Sequence, residues 1–193
     1  MIAAVVLAAG ISRRMGRPKM TLPWGETTVI GQVVQVLDQA GVNEIVVVTG
    51  GARQQVEAAL SGLPVHVLFN PRFAEDEMLF SLKTGLSGLG AEFEAALVVL
   101  GDQPQVQPQV VRKILETYQQ TGASLIIPSY QMHRGHPWLL ARSLWPSILD
   151  LQSDGTMRDF INQHAERISY LNVETPSVLR DLDTPEDYQR EHP

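Results

Sequence analysis

The segment Leu7-Ala8-Ala9-Gly10-Ile11-Ser12-Arg13-Arg14-Met15-Gly16-Arg17-Pro18-Lys19 places small residues, two glycines and four cations directly after an apolar run. Glycine lets a backbone turn tightly and approach a ligand closely, and successive N–H groups can cradle phosphate oxygens. Lys19 offers a mobile point charge, and an arginine offers a planar fork for phosphate. The chemistry predicted is binding of a phosphorylated anion, against the simpler reading of a solvated basic loop. Two familiar phosphate loops do not fit. The step from Gly10 to Gly16 is one residue too long for a Walker A loop, and Arg17 stands where its lysine belongs. The dinucleotide pattern G-x-G-x-x-G is also missing.

Further clusters carry weaker signals. In Gly101-Asp102-Gln103-Pro104 a carboxylate follows an apolar run. Such a group can hold Mg²⁺ between nucleotide phosphates, but Gly, Asp and Pro also make ordinary turns. In Arg134-Gly135-His136-Pro137, His133 and His136 find no third ligand nearby, so a loop entering a strand reads better than a metal pair. Asp181-Leu182-Asp183-Thr184-Pro185-Glu186-Asp187-Tyr188 has the form of a helix start, with Thr184 as N-cap, Pro185 at the first position and acids in the first turn.

The elements that position these clusters alternate along the chain. Strands are predicted at Ile2–Leu7, Ile45–Val48, Val65–Phe69, Ala95–Leu100, Leu125–Ile127, Trp138–Leu140 and Ile168–Val173. Helices are predicted from Val29 to Ala40, Gln54–Leu60, Met78–Leu89, Pro108 to Gln120, Ala141–Leu149 and Met157–His164, with a last turn opened by Thr184-Pro185-Glu186. Strands separated by helices imply crossovers, hence an α/β fold: a single Rossmann-like three-layer domain over residues 1–193, with a mainly parallel sheet. Ligands in such sheets bind beyond the carboxyl ends of the strands. Gly10–Lys19 and Gly101–Pro104 both fall at such ends. Trp24, Trp138 and Trp145 read as packing residues.

Composition narrows the class. The 193 residues contain no cysteine, which excludes disulfide scaffolds, thiolate metal sites and cysteine nucleophiles. The net charge of −6 argues against a general nucleic-acid binder. Residues 1–25 carry four cations and no acid, so the rest of the chain holds 11 basic and 21 acidic residues. A basic loop on an acidic body suits a local anion site. Apolar runs are only strand-sized and no basic residue precedes the first, so neither a membrane span nor a secretory signal is expected, and a cytoplasmic location is.

Leu7–Lys19 resembles the signature loop of the MobA-like nucleotidyltransferases, L-A-[AG]-G-x-S-x-R-M-G-x-x-K. Ala9, the continuation Leu22-Pro23-Trp24 and the form Gly101-Asp102-Gln103-Pro104 are similar to the branch that attaches cytidylate to the molybdenum cofactor, with Met20 and Thr21 departing slightly. The resemblance implies that Leu7, Ala8, Ala9, Gly10, Ser12, Arg13, Gly16, Lys19 and Ser81 bind nucleotide. It implies Lys19, Arg14 and Asp102 as catalytic residues, Asp102 and Asp183 as Mg²⁺ ligands, and Arg134 and His136 as acceptor contacts. Only Ser81 is carried over from Met78-Leu79-Phe80-Ser81-Leu82, where Leu79 and Phe80 replace small residues. In Asp154-Gly155-Thr156-Met157-Arg158 the glycine that precedes the family's aspartate is replaced by Ser153, and a capping role for Asp154 and Arg158 is favoured over an acceptor contact. The implied substrates are CTP and a phosphorylated pterin, molybdopterin. The implied partner is a molybdenum hydroxylase or its maturation factor, with no nucleic acid or membrane. Guanylyl transfer, transfer to a sugar or alcohol phosphate, and a non-catalytic molybdopterin carrier are the alternatives.

Overall fold

The computed structural model describes residues 1–75, 78–152 and 155–193, without the side chain of residue 13. Ten strands alternate with seven helices among them. The first strand, β1 (Ile2–Ala8), is buried along its whole length. A two-residue ribbon follows, β2 (Pro23–Trp24) and β3 (Thr27–Thr28), and leads into α1 (Val29–Gln39). Next come β4 (Glu44–Thr49), α2 (Arg53–Ala59), β5 (His66–Phe69), α3 (Met78–Ser87) and β6 (Ala95–Leu100). The second half holds α4 (Pro108–Thr121), β7 (Leu125–Tyr130), β8 (His133–Arg134), β9 (Trp138–Ala141) and α5 (Trp145–Leu149). It ends with α6 (Met157–Gln163), β10 (Ile168–Asn172) and α7 (Pro185–Glu191).

The main sheet runs β10-β7-β9-β6-β1-β4-β5, with β8 paired to β7. β1 lies parallel between β4 and β6, matching Leu7 to Val48 on one side and to Leu100 on the other. Alternate β1 residues feed opposite faces, as the strand period of two requires. Ala4, Val6 and Ala8 join the apolar layer under α1, α2 and α4, whereas Ala3, Val5 and Leu7 join the layer under α3, α5 and α6. This is a Rossmann-like three-layer α/β arrangement, as the alternation predicts.

Two features are not carried by the local patterns. β9 enters antiparallel between β6 and β7, an order that nothing local in the sequence encodes. The expected helix Ala141–Leu149 instead begins as strand through Ala141, continues as a 3-10 turn at Arg142–Leu144, and becomes helical only at Trp145, with Pro146 in its first turn. Thr156 caps α6 in a reciprocal box with Asp159, while Asp154 lies outside the described residues. At the C-terminal end, Thr184 and Asp187 form the same kind of box on α7, with Pro185 in the first turn, as expected. Among the described residues no helix is long and apolar enough to cross a membrane.

Candidate active site

The chain passes from β1 to β4 and β5 on one side, then returns to β6 on the other. The carboxyl ends of β1 and β6 therefore flank a topological switch point, where open α/β sheets form their ligand crevice. A cleft of about 180 Å³ opens there, lined by Leu7, Ala9, Gly10, Lys19, Met20, Phe73, Met78, Ser81, Leu100 and Asp102.

The loop after β1 reaches this cleft through two left-handed backbone positions. Ser12 has φ 53°, which short polar side chains tolerate, and Gly16 has φ 65°, where the missing Cβ removes the strain. Between them Met15 N–H donates to the Ser12 carbonyl at 3.0 Å, closing a 3-10 turn. The Ser12 hydroxyl then accepts from Lys19 N–H at 3.1 Å, which bends the loop back toward the strand end. Met15 is buried with Leu22, Trp24, Val29 and Leu182 in a small satellite core that anchors the loop.

That anchoring brings charges together from three distant parts of the chain. The Lys19 ammonium bridges two carboxylates, donating to Asp102 and, at 3.1 Å, to Asp183. Arg14 donates to the other oxygen of Asp183 at 2.8 Å. Lys19 and Asp102 are 12% and 15% exposed, so this pair is poorly screened; Asp183, at 36%, faces solvent more openly. Burial pulls the Lys19 pKa down, but the charges and hydrogen bonds of Asp102 and Asp183 outweigh it, and the ammonium is held above the usual lysine value. Lys19 is thus a firm cation in the cleft wall.

The remaining predicted residues separate into groups. Leu7, Ala9, Gly10 and Ser81 line the cleft, whereas Ala8 is buried toward α1. Ser81 is itself buried and accepts from the Asn70 amide at 3.1 Å. The side chain of Arg13 lies outside the described residues. Arg134 and His136 do not line the cleft. Arg134 is exposed on β8, and its Nε donates to the Tyr170 hydroxyl at 2.8 Å. His136 stacks on Trp138 at 4.4 Å between ring centroids, and its backbone N–H donates to the Val178 carbonyl at 2.9 Å. Its Nε2 is buried without a partner among the described residues, and burial pulls its pKa down to about 4.

Sequence reasoning missed Met20, Phe73 and Met78 as cleft residues and Asn70 as the support of Ser81. Asn70 follows the predicted strand Val65–Phe69 as part of Asn70-Pro71, a pair that also fits an ordinary turn. Gln103 is 3% exposed and does not line the cleft, donating instead to Asp181 at 2.5 Å.

Comparison with known proteins agrees with this geometry. The family model described as MobA-like NTP transferase domain matches residues 4–168. The chain is 26% identical to the molybdenum cofactor cytidylyltransferase of Escherichia coli (strain K12), over 97% of this chain and 93% of that protein. It is equally, 26%, identical to the nicotine blue oxidoreductase of Paenarthrobacter nicotinovorans, over 98% of this chain and 95% of that protein. Among solved structures, Rv0371c from Mycobacterium tuberculosis H37Rv superposes with a TM-score of 0.85 at 31% identity, covering 98% of this chain and 96% of that one. A second structure of that protein, at TM-score 0.79 and 30% identity over 99% of this chain and 97% of that one, is a complex with manganese. With the family model spanning most of the sheet, the chain belongs to the MobA-like NTP transferases and is a nucleotidyltransferase.

Proposed function

We propose that residues 1–193 form one unit that transfers CMP from CTP to the phosphate of molybdopterin, releasing pyrophosphate. The observation that carries this reading is the convergence of Lys19, Arg14, Asp102 and Asp183 at the mouth of the cleft beyond β1 and β6. The choice of CTP and the pterin acceptor is supported by the near full-length similarity to the cytidylyltransferase and by Ala9 and the Gly101–Pro104 form.

The residues fit a hard divalent cation. Asp102 and Asp183 already converge on one cationic group, the Lys19 ammonium. Among the described residues no cluster of three or more metal-ligating side chains exists. Two carboxylates with the remaining positions left to phosphate and water is the pattern Mg²⁺ prefers. We therefore place Mg²⁺ on Asp102 and Asp183, a reading also supported by the manganese complex of the relative. Bound there, it would neutralise charge on the nucleotide phosphates.

The chain's own residues do the rest. Backbone groups of Ala8, Ala9 and Gly10, with Ser12, Arg13 and Gly16, wrap the triphosphate, and Ser81 contacts the nucleotide from the opposite wall. The acceptor phosphate is anionic at neutral pH, so its oxygen attacks the α-phosphorus without a general base. The bond from the α-phosphorus to the oxygen bridging the α- and β-phosphates breaks on the opposite side. Pyrophosphate leaves with that electron pair. Catalysis then comes from alignment and charge neutralisation, which are the main terms in phosphoryl chemistry. In this reading Lys19 and Arg14 offset the negative charge that builds on the leaving group. Arg134, exposed on the same carboxyl-end side of the sheet as Asp102, and the neighbouring His136 belong to the acceptor side. A molybdenum hydroxylase or its maturation factor, in the cytoplasm, would receive the product.

A second reading is favoured by one observation, the equally similar relative named as an oxidoreductase. The test is pyrophosphate release across the four nucleoside triphosphates, with molybdopterin and with sugar or alcohol phosphates as acceptors. Release with CTP and molybdopterin supports the proposal, and release with GTP or another acceptor reassigns the substrate. Tight pterin binding without pyrophosphate points to a carrier. Turnover of nicotine blue without pyrophosphate points to the oxidoreductase.

A further inference from the structure

The two carboxylates that face Lys19 come from segments about 80 residues apart in sequence, and something must hold them in register. The segment 181–183 runs alongside 102–103, and three contacts join them in order. The Gln103 side chain donates to Asp181 at 2.5 Å, Leu182 N–H donates to the Asp102 carbonyl at 3.1 Å, and Asp183 meets Asp102 through Lys19. Leu182, fully buried, points the other way into the satellite core with Met15 and Trp24. Asp181 and Asp183, on either side of it in the chain, turn instead toward Gln103 and Lys19.

We infer that Gln103 is a positioning residue for the transfer site: by donating to Asp181 it holds the segment that sets Asp183 opposite Asp102. The inference rests on the proposed transfer reading and deepens it.

Two features of Gln103 point to this role rather than to packing. A carboxylate can only accept, so the amide must turn its NH₂ toward Asp181. That orientation leaves its Oε1 buried with no partner among the described residues. A buried acceptor without a hydrogen bond is costly, and an apolar side chain at 103 would avoid the cost. The residue also has to be neutral. A lysine or arginine at 103 would compete with Lys19 for Asp102, and a carboxylate would add a fourth negative group to Asp102, Asp181 and Asp183. Without the Gln103 donor, Asp181 relaxes toward solvent, and Asp183 is displaced with it.

The test is Mn²⁺ binding by the whole chain, read from the electron paramagnetic resonance signal of free Mn²⁺, without turnover. Gln103→Leu keeps charge and approximate size but removes the donor. Its Mn²⁺ affinity is expected to fall about 10–100-fold, the usual cost of losing a group that orients metal ligands. The exchanged pair Gln103→Glu with Asp181→Asn keeps net charge and restores one amide–carboxylate bond in the opposite sense. It is expected to bind within about threefold of the parent, well inside the loss expected for Gln103→Leu. If Gln103→Leu does not fold, Asp181→Ala measured against Asp181→Asn asks the same question, because Asn keeps an acceptor for Gln103 and Ala does not. Parent-like Mn²⁺ affinity in Gln103→Leu, or an exchanged pair as impaired as Gln103→Leu, overturns the inference while leaving the transfer reading intact. A parent chain that binds no Mn²⁺ overturns both.

Discussion

Gly50→Ala tests how tightly the end of β4 is fitted against the loop that forms the cleft. A Cβ at residue 50 would stand 2.6 Å from the Phe73 Cβ and 2.8 Å from the Ala9 Cα, and closer still to the Ala9 carbonyl oxygen. Carbon atoms at rest sit about 3.5–4.0 Å apart, so relief requires a shift of roughly 1 Å. Two of the three crowded atoms are backbone atoms of Ala9, which cannot rotate aside. Ala9 and Phe73 both line the cleft, so the displacement passes directly to it. A misplacement of about 1 Å costs about 100-fold in rate when reacting groups must align. Overpacking of this kind also costs about 1–3 kcal/mol, or a Tm lower by roughly 2–12 °C for a chain of this size. Gly51→Ala is the control. Its Cβ would meet only the edge of the Phe73 ring at 3.2 Å and Ile11 at 3.5 Å, both side chains that can yield. Pyrophosphate release and thermal melts of the two variants should diverge, with Gly50→Ala impaired and Gly51→Ala near the parent. Parent-like activity and Tm in Gly50→Ala, or equal loss in both, would refute the reasoning.

Leu182→Ala empties part of the satellite core under Lys19 and should cost about 2–5 kcal/mol in denaturant unfolding, with loss of Mn²⁺ affinity as Asp183 shifts. An unchanged midpoint would show that the cluster does not anchor the C-terminal segment. His136 predicts a pH dependence. Its folded pKa, about 4, lies below the ordinary 6.5 because burial disfavours the charged ring. Between those values the unfolded chain takes up a proton that the folded chain refuses, so this contribution lowers stability as pH falls from about 6.5 and saturates near 4, at on the order of 3 kcal/mol. Tm measured from pH 7 to pH 4 should fall less steeply in His136→Gln than in the parent. Identical slopes would mean that the ring is solvated.

The strands that build the cleft were legible because burial on both faces demands continuous apolar runs. Val5, Val6, Val46, Val47, Val98 and Val99 announce β1, β4 and β6 without reference to anything distant. Helix α4 was legible from Pro108 in its first turn and the spacing of Val111 and Leu115, and it stops at Gly122, which adopts φ 62°. Local signals could not show that β9 inserts antiparallel between β6 and β7, since strand order is decided by packing between segments. The β2–β3 ribbon was too short for any periodicity, resting on a turn through Gly25 at φ 56°. The site divided in the same way. Gly10, Lys19 and Asp102 stand out because glycine and charge directly follow buried strands. The approach of Asp183 to Lys19 depends on Leu182 joining Met15 and Trp24, a contact between chain ends that composition does not reveal. The role of Gln103 is not legible locally, because its partner Asp181 lies 78 residues away in the chain.

The most direct test of the central claim follows the label in parallel reactions with CTP carrying ³²P at the α- or the γ-phosphate, with molybdopterin as acceptor, for the parent and for Lys19→Met and Asp102→Asn. The parent is expected to move α-label into the acceptor and γ-label into pyrophosphate. Each variant is expected to lose at least about 100-fold in rate while remaining folded, since each removes charge stabilisation at the transferring group. Transfer of γ-label to the acceptor, or full α-transfer by either variant, would contradict that claim.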